Sequence, residues 1–225
     1  MSNPVTAVIV PAVRKHTATV IIAHGLGDSG NGWTFLAEKW RKEKRFEEVK
    51  FIFPNAPTRP ITVNMGINMP GWYDILHFSD INASQDEKGI MASRSYFHDL
   101  IATEISSGIP SERVVLGGFS QGAAMSILSG ITCPSKLAGI FALSGYMLLS
   151  NKVGELLAQA KNTNKDTKIF MGHGEDDQLV KAEWGKLTEQ LLKSLGFKVD
   201  LRMYSDLAHS TDPGEIEDLG KFLDD

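Results

Sequence analysis

Short apolar, β-branched runs alternate with amphipathic stretches from one end of the chain to the other. Strands are expected at "AVIVPAV" (7–13), "TVIIAH" (19–24), "VKFIFP" (49–54), "RVVLGGF" (113–119), "LAGIFALSG" (137–145), "KIFMGHG" (168–174) and "KVDLRMY" (198–204). The amphipathic stretches between them predict helices over 33–45, 89–107, 121–131, 153–161, 181–195 and 214–224. Several strands are apolar almost throughout, as strands are when helices cover both faces of a parallel sheet. The alternation predicts an α/β protein, doubly wound, with a mostly parallel central sheet and helices on both faces. No repeat, low-complexity tract or linker divides residues 1–225, so one domain is expected.

Residues 55–86, "NAPTRPITVNMGINMPGWYDILHFSDINASQD", break this pattern. They are rich in Pro, Asn, Met and aromatics and follow no period. A connection this long inside a compact domain is usually functional. Its Met, Trp, Tyr, Ile and Phe side chains are costly to leave in water, so a cap or pocket wall is expected.

Composition narrows the partners more than the chemistry. A net charge of −4 gives no reason to expect nucleic acid. The opening "MSNPVTAVIV" has neither a basic segment nor a long apolar stretch, so no secretory signal is expected. No window approaches the roughly 20 apolar residues of a membrane helix. No prenylation or myristoylation signal is expected either. Cys133 is the single cysteine, so neither an internal disulfide nor a cysteine metal cage can form. A cytoplasmic location is expected, and a nuclear one is compatible with the same features.

"VIIAHGLGDSGNGW" (20–33) carries Gly-x-Gly-x-x-Gly at Gly25, Gly27 and Gly30, after a strand and before a helix. A dinucleotide fingerprint there would also need an acidic residue at the end of the next strand to hold a ribose. That strand is "VKFIFP", and it ends in Pro54-Asn55. Asn31-Gly32 is also poor helix-starting material. The dinucleotide reading fails on context.

A different chemistry comes from "GGFSQGAA" (117–124), where Gly118-Phe119-Ser120-Gln121-Gly122 lies between a strand and a helix. Gly-x-Ser-x-Gly in that setting is a nucleophile elbow, with the serine strained at the tip of a tight turn. Side chains at 118 or 122 would collide with each other or with their neighbours. Small Ala123 and Ala124 let the helix approach the sheet. A serine needs a base and the base an orienting carboxylate, which α/β-hydrolases supply in the order Ser, acid, His. Glu175, Asp176 and Asp177 follow "KIFMGHG", and His209 alone of six histidines comes after them. Spacing does not choose among the three acids. His16 and His98 are expected to face solvent, His77 falls in the irregular segment, and His173 is expected to help build a turn. His24 lacks the partner cluster of a metal ligand and is expected to shape its loop. The glycine loop then has a role, because the fold completes its oxyanion hole with an amide after the nucleophile and one from an early loop. Those amides would be Gln121 N–H and Leu26 N–H.

Together these segments resemble the acyl-protein thioesterase family, close to small carboxylesterases and lysophospholipases. "HGLGDSGNGW" resembles its first loop, "FPNAPTRPITVNMGINMPGWYDI" its long connection, and "GGFSQGAAMS" its elbow; "HGEDDQLV" and "AHST" resemble its acid and histidine loops. The resemblance is nearly full length. It implies the α/β-hydrolase fold, a Ser120–His209–Asp177 triad with Asp176 at a variable position, and no metal or cofactor. It also implies an apolar acyl channel walled by Leu26, Ile75, Phe78, Tyr146 and Leu179, with Met69 and Trp72 in support. For Trp72, plain core packing stays open. Gln178 stands where a proline is common, and Tyr146 where some members carry tryptophan. The substrates implied are S-acylated proteins or acyl lipids; transient contact with a membrane surface and a homodimer are both compatible with it. Two alternatives stay open: an esterase of oxygen esters with the same triad, and a catalytically silent hydrolase-fold receptor.

Overall fold

A computed structural model describes residues 6–77 and 84–224. Seven strands form one sheet: β1 (Ala7–Val10), β2 (Ala18–Ala23), β3 (Val49–Pro54), β6 (Val114–Phe119), β7 (Gly139–Leu143), β8 (Lys168–Gly174) and β9 (Val199–Tyr204). Their order is β1-β3-β2-β6-β7-β8-β9, and every pairing is parallel except the antiparallel edge strand β1 on β3. Each predicted strand is present, and β1 is shorter than its apolar run.

The all-apolar strands are explained by two cores, one on each face. Along β2, Ile21 and Ala23 join the larger core while Val20 and Ile22 join the smaller one; on β7, Ile140 and Ala142 part from Phe141 and Leu143 in the same way. Helices α2 (Glu87–Ser106) and α3 (Gln121–Ile131) cover the first face, where Phe97, Ile101, Met125 and Leu128 are fully buried. Helices α1 (Thr34–Lys42) and α6 (Pro213–Asp224) cover the other with Leu36, Trp40, Ile216 and Leu219. Helices α4 (Val153–Gln159) and α5 (Ala182–Ser194) complete the alternation.

Two differences from the expected elements have local causes. The helix expected over 33–45 begins as a 3-10 turn at Gly30–Trp33 and ends at Lys42, before the left-handed Lys44 and Phe46. The irregular segment contains an unforeseen hairpin of β4 (Thr58–Ile61) and β5 (Ile67–Pro70), paired from Thr58↔Pro70 to Ile61↔Ile67. Pro60 and Pro70 argue against strands in any sheet interior, but a two-stranded hairpin consists only of edges. Parallel β2, β6, β7, β8 and β9 all point their carboxyl ends to one rim, where open α/β sheets place their sites.

Candidate active site

Ser120 follows the last residue of β6 and takes φ 53°, ψ −119°, a left-handed conformation that a non-glycine residue adopts only under constraint. The constraint comes from both sides. Ser120 N–H donates to Leu143 O of β7 at 2.9 Å, and Ser120 O accepts from Ala124 N–H of α3 at 3.0 Å. A Cβ at Gly118 would sit 2.4 Å from Ala23 O, and one at Gly122 2.2 Å from the same oxygen. The two glycines therefore admit the backbone of β2 against the elbow. Gln121 begins α3, so its N–H is one of the first-turn donors that no helical carbonyl can reach.

His209 stands in the loop between β9 and α6, with its ring 4.8 Å from that of Phe119. Its Nε2 is 2.9 Å from Ser120 Oγ, and its Nδ1 is 2.7 Å from Asp177 Oδ2. With Nδ1–H donating to the carboxylate, Nε2 is left to accept the serine proton. Of the three candidate acids, Asp177 is buried against His209, while Glu175 and Asp176 are exposed. Asp177 Oδ1 accepts from Leu179 N–H at 2.9 Å and Val180 N–H at 2.8 Å. Burial pushes the Asp177 carboxyl up, but the hydrogen bonds from His209 and from Val180 N–H outweigh it, and it is held below its ordinary value.

His173, at the end of β8, is fully buried. Its Nε2 is 2.7 Å from Val180 O and 3.7 Å from Asp177 Oδ2, two acceptors that require Nε2 to carry the proton. Burial lowers its pKa, so the ring stays neutral and ties the acid loop to β8. The loop-building role expected for this histidine is present; its place beside the carboxylate was not legible from spacing.

The glycine loop after β2 is fixed at several points. His24 Nδ1–H donates to Gly25 O (2.6 Å), which leaves Nε2 to accept from Ala56 N–H (3.0 Å), and His24 O accepts from Trp72 Nε1–H (2.8 Å). Gly30 N–H donates to Asn55 Oδ1 (2.7 Å), so the residue that a ribose-binding acid would have replaced holds the loop instead. Gly27, at φ 79°, donates its N–H to Pro70 O of the hairpin (2.8 Å). The side chain of Gln121 was missed by sequence reasoning, which used only its amide. It is buried, with Oε1 accepting from Trp72 N–H (2.7 Å) and Nε2–H donating to Tyr73 O (2.8 Å), and so joins the elbow to the irregular segment. His98 and His16, expected to face solvent, are half-buried. His98 Nε2 reaches Ser129 O at 2.8 Å between α2 and α3, and His16 Nε2 reaches Thr19 Oγ1 at 2.9 Å.

A cavity of about 490 Å³ opens beside Ser120 and His209. Leu26, Ile75, Tyr146, Leu179 and Met69 border it, together with Leu148 after β7, Val180 after β8 and Trp184 of α5. Phe78 lies outside the described residues. Trp72 is core, packed between His24, Tyr96 and Phe97. Leu179 is 48% exposed, at the rim. Among the described residues no group of three or more His, Cys, Asp or Glu is placed to hold a metal ion.

A mostly parallel sheet that carries its serine on such a turn, with the histidine after its last strand, is the fold of the α/β-hydrolases. Residues 4–225 match the phospholipase/carboxylesterase family, and the chain belongs to it. It is 54% identical to acyl-protein thioesterase 1 of Emericella nidulans over 223 residues, 96% of this chain and 93% of the relative. To acyl-protein thioesterase 1 of Neurospora crassa it is 50% identical, over 96% and 89% of the two chains. Among solved structures it resembles acyl-protein thioesterase 2 of Zea mays, with TM-score 0.85, 28% identity and 97% of each chain covered.

Proposed function

We propose that the chain is a serine hydrolase of long-chain acyl thioesters, with S-acylated proteins as its substrates. The observation that carries this is the continuous hydrogen-bonded line from Ser120 Oγ through His209 to buried Asp177, beside an apolar cavity. Relatives named as acyl-protein thioesterases support the thioester over other acyl groups.

Ser120 Oγ attacks the thioester carbonyl carbon while His209 Nε2 takes its proton. Asp177 fixes the imidazole tautomer and stabilises the imidazolium. The negative charge on the carbonyl oxygen is received by the N–H groups of Leu26 and Gln121, near the amino end of α3. Collapse breaks the carbon–sulfur bond, and His209 returns the proton to the departing thiolate. A water molecule then gives its proton to His209, attacks the acyl-serine, and releases the fatty acid with Ser120 restored. The acyl chain lies in the cavity, where each methylene removed from water gains roughly 0.8 kcal/mol.

Matched palmitoyl and acetyl substrates, each as thioester and as oxygen ester, test the reading. Preference for the palmitoyl thioester is the expected result. Preference for acetyl oxygen esters would leave the triad in place and make the chain a general carboxylesterase, the second activity that the family's description covers.

A further inference from the structure

The cavity wall is mainly apolar, and a buried pair of phenols interrupts it. Tyr73 OH and Tyr146 OH lie 2.7 Å apart, and both residues border the cavity. Tyr73 comes from the irregular segment and is 3% exposed; Tyr146 comes from the loop after β7 and packs edge-on against Trp184 at 5.9 Å. Of the other polar lining residues, Asp28, His77 and Ser84 are exposed, while Asn64, Asp74, Gln85 and Gln121 are engaged in hydrogen bonds to neighbouring groups.

Two phenols bring two protons, and their mutual hydrogen bond uses one. The accepting phenol keeps an O–H that has no acceptor among the described residues. Burial raises both phenols above the ordinary tyrosine value, so neither gives up its proton at any working pH. A buried donor left without an acceptor is unfavourable by roughly 5- to 150-fold in an equilibrium constant, and a plain hydrocarbon chain filling the cavity would leave it so.

We propose that the Tyr73–Tyr146 pair is a specificity determinant: a buried hydrogen-bond donor in a mainly apolar wall, selecting acyl chains that carry an oxygen acceptor over plain chains of equal length. The oxygen is a hydroxyl, ether or keto group along the chain. The inference rests on the proposed acyl-thioester activity and names the kind of chain that this site prefers.

The test compares hexadecanoyl thioester with a series of hydroxyhexadecanoyl thioesters in which the hydroxyl is moved along the chain. Specificity is read as the ratio of kcat/KM for each hydroxylated chain to that for the plain one. It is measured in the wild-type protein and in the double variant Tyr73→Phe/Tyr146→Phe. Both hydroxyls must go, because either single variant keeps one phenol and frees its proton. Fluorophosphonate titration of Ser120 counts intact sites in each preparation. At least one positional isomer should show a ratio roughly 5- to 30-fold higher in the wild type than in the double variant. Equal ratios in the two proteins for every isomer would overturn the inference and leave the thioesterase standing. The wild type decides even if the double variant does not fold. A wholly apolar cavity would turn over every hydroxylated chain at least roughly tenfold more slowly than the plain one, and that result also overturns the inference. Absence of turnover on every thioester would overturn the thioesterase reading, and this inference with it.

Discussion

Ser120 holds a backbone conformation that its own chemistry disfavours, and the residues around it explain why the chain accepts this. Gly118 and Gly122 leave room, Leu143 O and Ala124 N–H hold the peptide, and His209 takes the hydroxyl. Ser120→Ala should abolish turnover with the fold retained, as read by circular dichroism; more than trace activity would sink the mechanism. The acid gives a sharper contrast. Asp177→Asn should lower kcat by about 10⁴, the loss known when a triad aspartate no longer sets the tautomer. Asp176→Asn, exposed and outside the line, should change kcat by less than about twofold. His173→Leu removes the donor to Val180 O that ties down the acid loop, so kcat should fall roughly 10- to 100-fold, far more than KM changes. The serine and histidine were legible in the sequence because an elbow and a chain order constrain them. The choice of Asp177 was not legible from spacing, since three acids stand in a row; it came from resemblance. Neither His173 beside the carboxylate nor the Gln121 side chain could be read in advance, because both act through contacts across 7 and 48–49 positions that no local pattern encodes.

At the scale of elements, most strands were legible because two cores leave the central ones apolar on both faces, and the helices because each covers one face. The β4–β5 hairpin was not, since Pro60 and Pro70 obscure strand character and its pairing buries little. Its signal was the turn Asn64-Met65-Gly66, where Met65 and Gly66 both have positive φ. Close approach and open space predict opposite outcomes for the same substitution. A methyl group at Gly122 would meet Ala23 O at 2.2 Å, where backbone cannot yield, so Gly122→Ala should destabilise the protein by more than about 3 kcal/mol in urea unfolding. At Gly154 in α4 a methyl group would meet nothing within 4 Å, so Gly154→Ala should stabilise by about 0.5–1 kcal/mol through helix propensity alone.

For the whole molecule, one part of the response to pH comes from a buried carboxyl with no compensating charge beside it among the described residues. Glu215 on α6 is fully buried, and neither carboxylate oxygen has a hydrogen bond among the described residues. It lies over Gly172 of β8, with Asp212 below it on the approach to α6 and Tyr204 of β9 nearby. Burial, reinforced by Asp212, raises its pKa from 4.5 to about 8. Between those values the folded chain keeps a proton that the unfolded chain has released. The stability this group contributes is therefore full below about 4.5, falls as the pH rises towards about 8, and levels off above it. Glu215→Gln should match the wild-type melting temperature at acid pH and exceed it by roughly 5 °C in mildly alkaline buffer; equal melting temperatures at both would refute the assignment. The same sheet also has a temporal consequence. Ser120 follows β6, Asp177 follows β8, and His209 follows β9, 89 positions along from the serine. In a refolding time course the serine gains its reactivity only once the last strand has docked, so the lag between recovered helical signal and recovered reactivity dates the closing of the sheet's far edge.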